Sequence, residues 1–370
     1  MVLLFLLPCL VASQIFYPAT DSPSTASIVC NKYQCDPNPS RTSTLFSYCI
    51  TYNKTTTTFL VNPCDHSDIS GNYCEPTDVP ANTPVKCSVP QTEWTNLYPG
   101  EYPCSGNSSC ISNYCNNEIC VGSGYAETCQ QNEDCEPGLG CSVNTCIELL
   151  RPGESGCKND TDCVTTCGCD YNPASGNPGI CKPYFSIAVS QPLQTCENSV
   201  SLLCASAQCN TTSNGKSQCI PGIVSNNNLP HKCVSDADCW GTSNGNIANT
   251  KCSCGYNSQA QGYCVPFPGD KPGVNLLNQL KKWQQSLLVV ACNTEARWSF
   301  SCMKNVNYKL YDAVKYWYYA YVMHPYLQNN DQCVQNVYTS LYWDAQSDYQ
   351  MDNGGFSVIL PALVMALAFN

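Results

Sequence analysis

Residues 157–181 read CKNDTDCVTTCGCDYNPASGNPGIC, and residues 233–264 read CVSDADCWGTSNGNIANTKCSCGYNSQAQGYC. Laid side by side, Cys157, Cys163, Cys167, Cys169 and Cys181 match Cys233, Cys239, Cys252, Cys254 and Cys264. CKNDTDC faces CVSDADC, CGCDYN faces CSCGYN and GICKP faces GYCVP, so the segment is an internal duplication whose repeated feature is cysteine spacing. A four-cysteine unit precedes each copy: Cys104, Cys110, Cys115 and Cys120 before the first, Cys196, Cys204, Cys209 and Cys219 before the second. The first copy carries one more unit, Cys129, Cys135, Cys141 and Cys146. Within these modules no apolar pattern persists beyond about eight residues, and Gly, Asn, Ser and Pro interrupt the chain every few positions. Short strands and turns are what such a sequence can form.

Composition sets the compartment. Of 370 residues 32 are cysteine and only 12% are charged, a usage that a reducing cytosol would leave as reactive thiols and an oxidising compartment converts into staples. Net charge is -11, with no cluster of Lys or Arg, which excludes a phosphate backbone as partner. Nucleic acid is therefore not expected to bind.

Both ends read as addresses. Residues 2–12 (VLLFLLPCLVA) are apolar and are followed by Ser13, as in a secretory signal cleaved near Ser13 or Gln14, which would remove Cys9. Residues 356–370 (FSVILPALVMALAFN) follow the small polar run DNGG at 352–355. As a helix that tail would cover about 22 Å, short of the ~30 Å hydrocarbon core. It matches a GPI-attachment signal, with Asn353 as the expected lipidated residue and Gly354 or Asp352 as alternatives.

Beyond the linker PGDKPG at 268–273, Leu276, Leu280, Trp283, Leu287 and Ala291 recur at helical spacing. So do Leu310, Val314, Trp317 and Tyr321, and then Cys333, Val337, Leu341 and Ala345, which predicts three helices. Six cysteines (30, 35, 49, 64, 74 and 87) precede the modules, with residues 48–52 and 59–61 as strand candidates. The expected fold class is small disulfide-rich modules of short β-strands and turns followed by a small α-helical domain. In order these are a signal peptide (1–13), an N-terminal cysteine-containing β-rich domain (14–100) and cysteine-rich module array one (101–190). Module array two (191–268), a helical membrane-proximal domain (274–347) and a removed attachment signal (354–370) follow.

The run CQQNEDCEPGLGCSVNTC, continued through LLRPG to CKNDTDC, resembles the Dickkopf N-terminal cysteine-rich module and similar modules in GPI-anchored, cysteine-rich surface proteins of ciliates and other protists. Asp134, Asp162 and Asp238 before the second cysteine, and Gly-Leu-Gly before Cys141, carry the resemblance within residues 104–266. It implies a disulfide module. Dickkopf proteins antagonise Wnt receptors with the help of a colipase-like domain that this sequence does not display, so the signalling role is not carried over.

Candidate chemistry is sparse. Cys167-x-Cys169 and Cys252-x-Cys254 are closer than the spacing of common zinc sites, and His66, His231 and His324 are the three histidines, so no metal and no cofactor are expected. The Asp160/Asp162 and Asp236/Asp238 pairs lack the remaining ligands of a calcium loop and read as turn residues. Without a Gly-x-Ser-x-Gly elbow or a deep cleft, an enzyme is not expected. The aromatic run Tyr308, Tyr311, Tyr316 to Tyr319 and Tyr321 reads as helix packing more than as a glycan-stacking surface. Sequons stand at Asn53, Asn107, Asn159 and Asn210.

These features imply a non-enzymatic, GPI-anchored glycoprotein on the outer leaflet of the plasma membrane, with an extracellular protein or glycan as ligand. A secreted Dickkopf-like modulator of a receptor and a disulfide-rich protease inhibitor are the alternatives. Loss of Cys9 makes the cysteine count odd. Counted by region, the surplus falls among Cys292, Cys302 and Cys333; pairing Cys292 with Cys302 leaves Cys333 for an intermolecular bridge and a disulfide-linked homodimer.

Overall fold

The computed structural model describes Phe16 and residues 23–37, 48–53, 55–63, 96–196, 202–212, 214–243, 245–328 and 331–352. The expected signal segment, His66, Cys64, Cys74, Cys87, Asn353 and the apolar tail lie outside the described residues.

Five modules repeat one disulfide plan: once Cys167 and Cys254, which take no part in it, are set aside, the first cysteine pairs with the third and the second with the fourth. The pairs are Cys104–Cys115 with Cys110–Cys120, Cys129–Cys141 with Cys135–Cys146, and Cys157–Cys169 with Cys163–Cys181. Cys196–Cys209 with Cys204–Cys219, and Cys233–Cys252 with Cys239–Cys264, complete the set. With so few apolar side chains, the half-cystines themselves are the core: Cys135, Cys146, Cys163 and Cys181 are fully buried.

In three of the five modules an Asp directly before the second cysteine fixes a 3-10 turn. Asp134 Oδ2 accepts from the amides of Gln130 and Gln131 at 2.7 and 3.0 Å. Asp162 does the same for Lys158 and Asn159, and Asp238 for Val234 and Ser235. Three residues after the first cysteine of these modules, and of the first module as well, another Asn or Asp, at 107, 132, 160 or 236, accepts from the amide of the cysteine bonded to that first one. These Asp residues are turn staples, as their spacing suggests.

That hydrogen bond also corrects the alignment of the duplicated copies. It equates Cys169 with Cys252, and both face the fourth cysteine across a hairpin, Cys181↔Cys169 and Cys264↔Cys252. The two Cys-x-Cys pairs are thus displaced by two residues, one strand period, which leaves every side chain on its original face. Gly179 and Gly262 sit where a Cβ would strike the carbonyl of the first cysteine and the sulfur of the third, which explains the shared Gly of GICKP and GYCVP.

Modules are joined by a recurring parallel bridge from the linker to the second cysteine of the next unit: Leu97↔Cys110, Ser123↔Cys135, Leu150↔Cys163 and Ile187↔Cys204. The N-terminal strands β1 (Lys32–Cys35), β2 (Tyr48–Asn53) and β3 (Thr58–Pro63) form a sheet in the order β1-β3-β2. β2 and β3 match the strand candidates; β1, parallel to β3, has no sequence signal. Tyr33 on β1 stacks on Phe59 at 4.9 Å and meets Tyr256 of the last module edge-on at 5.0 Å.

Among the described residues five helices follow: α1 (Lys271–Gln285), α2 (Phe300–Val306), α3 (Tyr308–Val322), α4 (Gln332–Tyr338) and α5 (Ser340–Asp352). The first predicted helix stops at Gln285 and continues as a 3-10 turn over Leu287–Ala291, which turns Leu287 outward and Val289 inward. The helices do not keep a core to themselves. Leu276, Leu280, Trp283, Val314 and Tyr321 share one buried cluster with Tyr184, Leu193, Leu202 and Leu203 of the modules.

Candidate functional site

The segment CNTEARWS at 292–299, closed by Cys292–Cys302, is the junction of helices and modules. Trp283 on α1 donates its indole N–H to the Arg297 carbonyl at 2.8 Å, which fixes the segment from below. From there polar side chains reach module backbone. Asn293 donates to the carbonyls of Cys135 at 2.8 Å and Asn132 at 3.3 Å, and Thr294 to that of Thr161 at 3.0 Å. Glu295 accepts from the Asn132 amide side chain at 3.0 Å.

Arg297 is the centre of this clamp. It is 2% exposed, and its guanidinium donates to the carbonyls of Cys167 at 2.6 Å, Cys163 at 3.0 Å and Thr294 at 2.7 Å. It also donates to the Tyr184 hydroxyl at 3.3 Å and to Thr294 Oγ1. Tyr184 in turn donates to Asp160 Oδ2 at 2.9 Å, so a buried guanidinium, a phenol and a carboxylate form one relay. Burial, then the Asp160 charge, pushes the Tyr184 phenol up, which keeps it a donor.

The first module has its own latch. Glu101, buried, accepts from Ser301 Oγ at 2.7 Å, Ser299 Oγ at 3.3 Å and the Tyr98 amide at 2.9 Å. Burial pushes its carboxyl above the ordinary range although these donors oppose the shift. Tyr102 adds a hydroxyl bond to the Asn305 carbonyl at 2.8 Å. The first three modules are thereby fastened in a row to one helical support.

Two bridges run between regions, and they correct the parity argument. Cys35 of β1 is bonded to Cys333 of α4, and Cys30 to Cys254 of the last module. Cys333 is therefore an intrachain half-cystine, not the free thiol of a homodimer. Counting by region failed because it assumed that each region closes its own pairs. Among the described residues the unpaired cysteine is Cys167, buried, its thiol pushed up by burial and its carbonyl held by Arg297. Cys292 and Cys302 are paired.

The sulfurs of Cys129, Cys135 and Cys146 lie close together, but each of the three is spent in a disulfide and offers no thiolate to a metal. His231 contacts the Asn227 amide at 3.2 Å in a concavity lined by Ser225, Asp238 and Trp240. His324 is a separate, half-buried residue whose imidazole is pushed down by burial. The tyrosines of α3 pack, Tyr316 on Tyr349 at 4.9 Å and Tyr321 on Phe16 at 5.4 Å. Asn107 and Asn159 are exposed on their 3-10 turns, whereas Asn53 and Asn210 are half-buried. At the tip of the second hairpin Val143 is 93% exposed. Sequence reading missed the clamp entirely; two charged residues, Glu295 and Arg297, between two cysteines ten apart were its one visible sign.

Together these features define a disulfide-built, cysteine-rich protein whose small modules are held in fixed register by a helical support. The chain is 28% identical over 201 residues to cell-cell adhesion glycoprotein 64 of Heterostelium pallidum, covering 51% of this chain and 54% of the relative. It thus spans about half the length of the curated relative it matches. No family model matches the chain, so the likeness to Dickkopf modules remains one of spacing, and no solved structure matches it. Among the described residues no helix is long and apolar enough to cross a membrane.

Proposed function

We propose that this chain is a non-enzymatic cell-surface glycoprotein that mediates adhesion or recognition between cells. It is GPI-anchored at Asn353 and carries glycans at Asn53, Asn107, Asn159 and Asn210. The observation that carries the reading is the similarity to a cell-cell adhesion glycoprotein in a chain built from disulfide modules. An adhesion module benefits from rigidity, because a surface that is already ordered loses less entropy when it binds. Disulfide modules clamped by Asn293 and Arg297 supply that rigidity. The ligand is an extracellular protein or glycan, met through the outward face of the array.

Display of the full chain on non-adhesive cells tests this directly. Cells should cluster, or capture a second cell type, in proportion to surface density. Failure to do either at high density, or recovery of the mature protein mainly from the medium, overturns the reading.

A further inference from the structure

The end of the helical support that points away from the last module is apolar and exposed. Hydrogen bonds fix the opposite end. Asp270, at the head of α1, accepts from the amide and hydroxyl of Ser225, and Tyr326, just past α3, contacts the Ser253 hydroxyl at 3.3 Å. Both serines belong to the sheets of the last module. α1 and α3 pack side by side and each has 15 residues, about 22 Å, so they run antiparallel and finish level. α4 also starts at the module end: Cys333 is tied through Cys35 to β1, whose Tyr33 meets Tyr256, and Tyr256 lies 4.8 Å from Tyr326. From there α5 lays Asp348 beside Lys315 in the middle of α3 and finishes at Asp352, toward Tyr308. The far end therefore gathers the 3-10 turn after α1, the α2–α3 corner and the last turn of α5. Leu287 there is 84% exposed, and Leu288, Val290, Tyr308 and Met351 are each 44–53% exposed. Lys281 and Lys282 near the end of α1, Lys304 near the end of α2 and Lys309 at the start of α3 surround them, in a chain whose net charge is -11.

Branched aliphatic side chains rimmed by ammonium groups match the chemistry of a phospholipid surface: the aliphatics enter the boundary between headgroups and acyl chains, and the lysines face phosphates. Tyr308 suits the same depth, an apolar ring with a polar tip. The course of the chain selects this occupant, because residue 353, the proposed attachment point, follows directly on α5 at this end. We propose that Leu287, Leu288 and Val290 insert into the outer leaflet beside the anchor, with Lys282 and Lys309 on headgroup phosphates. The proposal rests on the anchored reading, which puts the bilayer at this end. A single lipid tether leaves a body free to swing, whereas a second contact, held at high effective concentration by the first, fixes its orientation. The support would then stand on the membrane with the last module uppermost.

The test displays the full chain on cells fed phosphatidylcholine that carries a diazirine in its acyl chain, followed by irradiation and peptide mapping. Adducts should fall on the peptides holding Leu287, Leu288 and Val290, and none on the peptide holding Val143, which is 93% exposed but lies on a module hairpin. Leu287→Asp together with Leu288→Asp should cut labelling of residues 285–291 roughly tenfold or more at equal surface density. Leu287→Asp alone serves if the pair fails to fold. Surface-held protein without adducts at residues 285–291, or with equal labelling of the Val143 peptide, overturns the proposal and leaves the anchored reading standing. Protein recovered mainly from the medium overturns the anchored reading instead. Flotation of that secreted protein with vesicles of phosphatidylcholine and phosphatidylserine then decides the surface: binding lost in Leu287→Asp and kept in Val143→Asp supports it, and no binding, or binding indifferent to Leu287, overturns it.

Discussion

Replacing Arg297 by Met removes the clamp at its centre while keeping an unbranched stem in place of the aliphatic part of the side chain. The carbonyls of Cys163 and Cys167 then lose their charged donor inside a site where both residues are fully buried. A buried acceptor left without a partner costs about 1–3 kcal/mol, so the two together cost roughly 2–6 kcal/mol. Relief of the desolvation of a buried guanidinium offsets part of that, leaving about 2–4 kcal/mol. The disulfides prevent full unfolding of the modules, so hydrogen exchange under non-reducing conditions is the suitable assay. Exchange around residues 163–185 and 292–299 should accelerate roughly 30- to 700-fold, at about 1.4 kcal/mol per factor of ten. Residues 104–120, latched separately through Glu101, should change little. Arg297→Lys should recover little, because an ammonium does not span both carbonyls as the planar fork does. Acceleration confined to the helices, with the third module unaffected, would refute the idea that the segment couples them.

Other expectations follow from the same contacts. Non-reducing peptide mapping should recover Cys35 joined to Cys333 and Cys30 joined to Cys254, and Cys167 should react with an alkylating agent only after denaturation. A disulfide-linked dimer lost in Cys333→Ser would contradict this. Glu101 binds its proton more tightly folded than unfolded. Its contribution is therefore greatest below the ordinary value of 4.5 and declines as pH rises through the window up to its raised folded value. Glu101→Gln should flatten that decline in a melting series from pH 4 to 7, and an unchanged slope would count against it. Asn107→Gln and Asn159→Gln should each remove one glycan's mass from the secreted product, since both side chains are exposed; no mobility change would mean unoccupied sequons.

Cysteine spacing made the modules legible because local loops close them: the pairs within modules are 10 to 25 residues apart. The Asp turns were equally legible, since their hydrogen bonds span three or four residues. The bridges from Cys30 and Cys35 span 224 and 298 residues, and nothing in local spacing specifies such partners. α2, seven residues long, is too short to show a helical period. The two-residue displacement of the Cys-x-Cys pairs was hidden because a strand repeats its faces every second residue. The clamp was illegible for another reason. Asn293, Thr294 and Arg297 bind backbone carbonyls, which carry no side-chain signature, so no complementary residue elsewhere marks the target.

Treatment of clustered, protein-displaying cells with phosphatidylinositol-specific phospholipase C tests anchorage and adhesion in one measurement. The account predicts that the clusters disperse into single cells while the protein, lacking residues 354–370, appears in the supernatant. Clusters that persist with the protein retained on the cells, its apolar tail detectable by mass spectrometry, would contradict it.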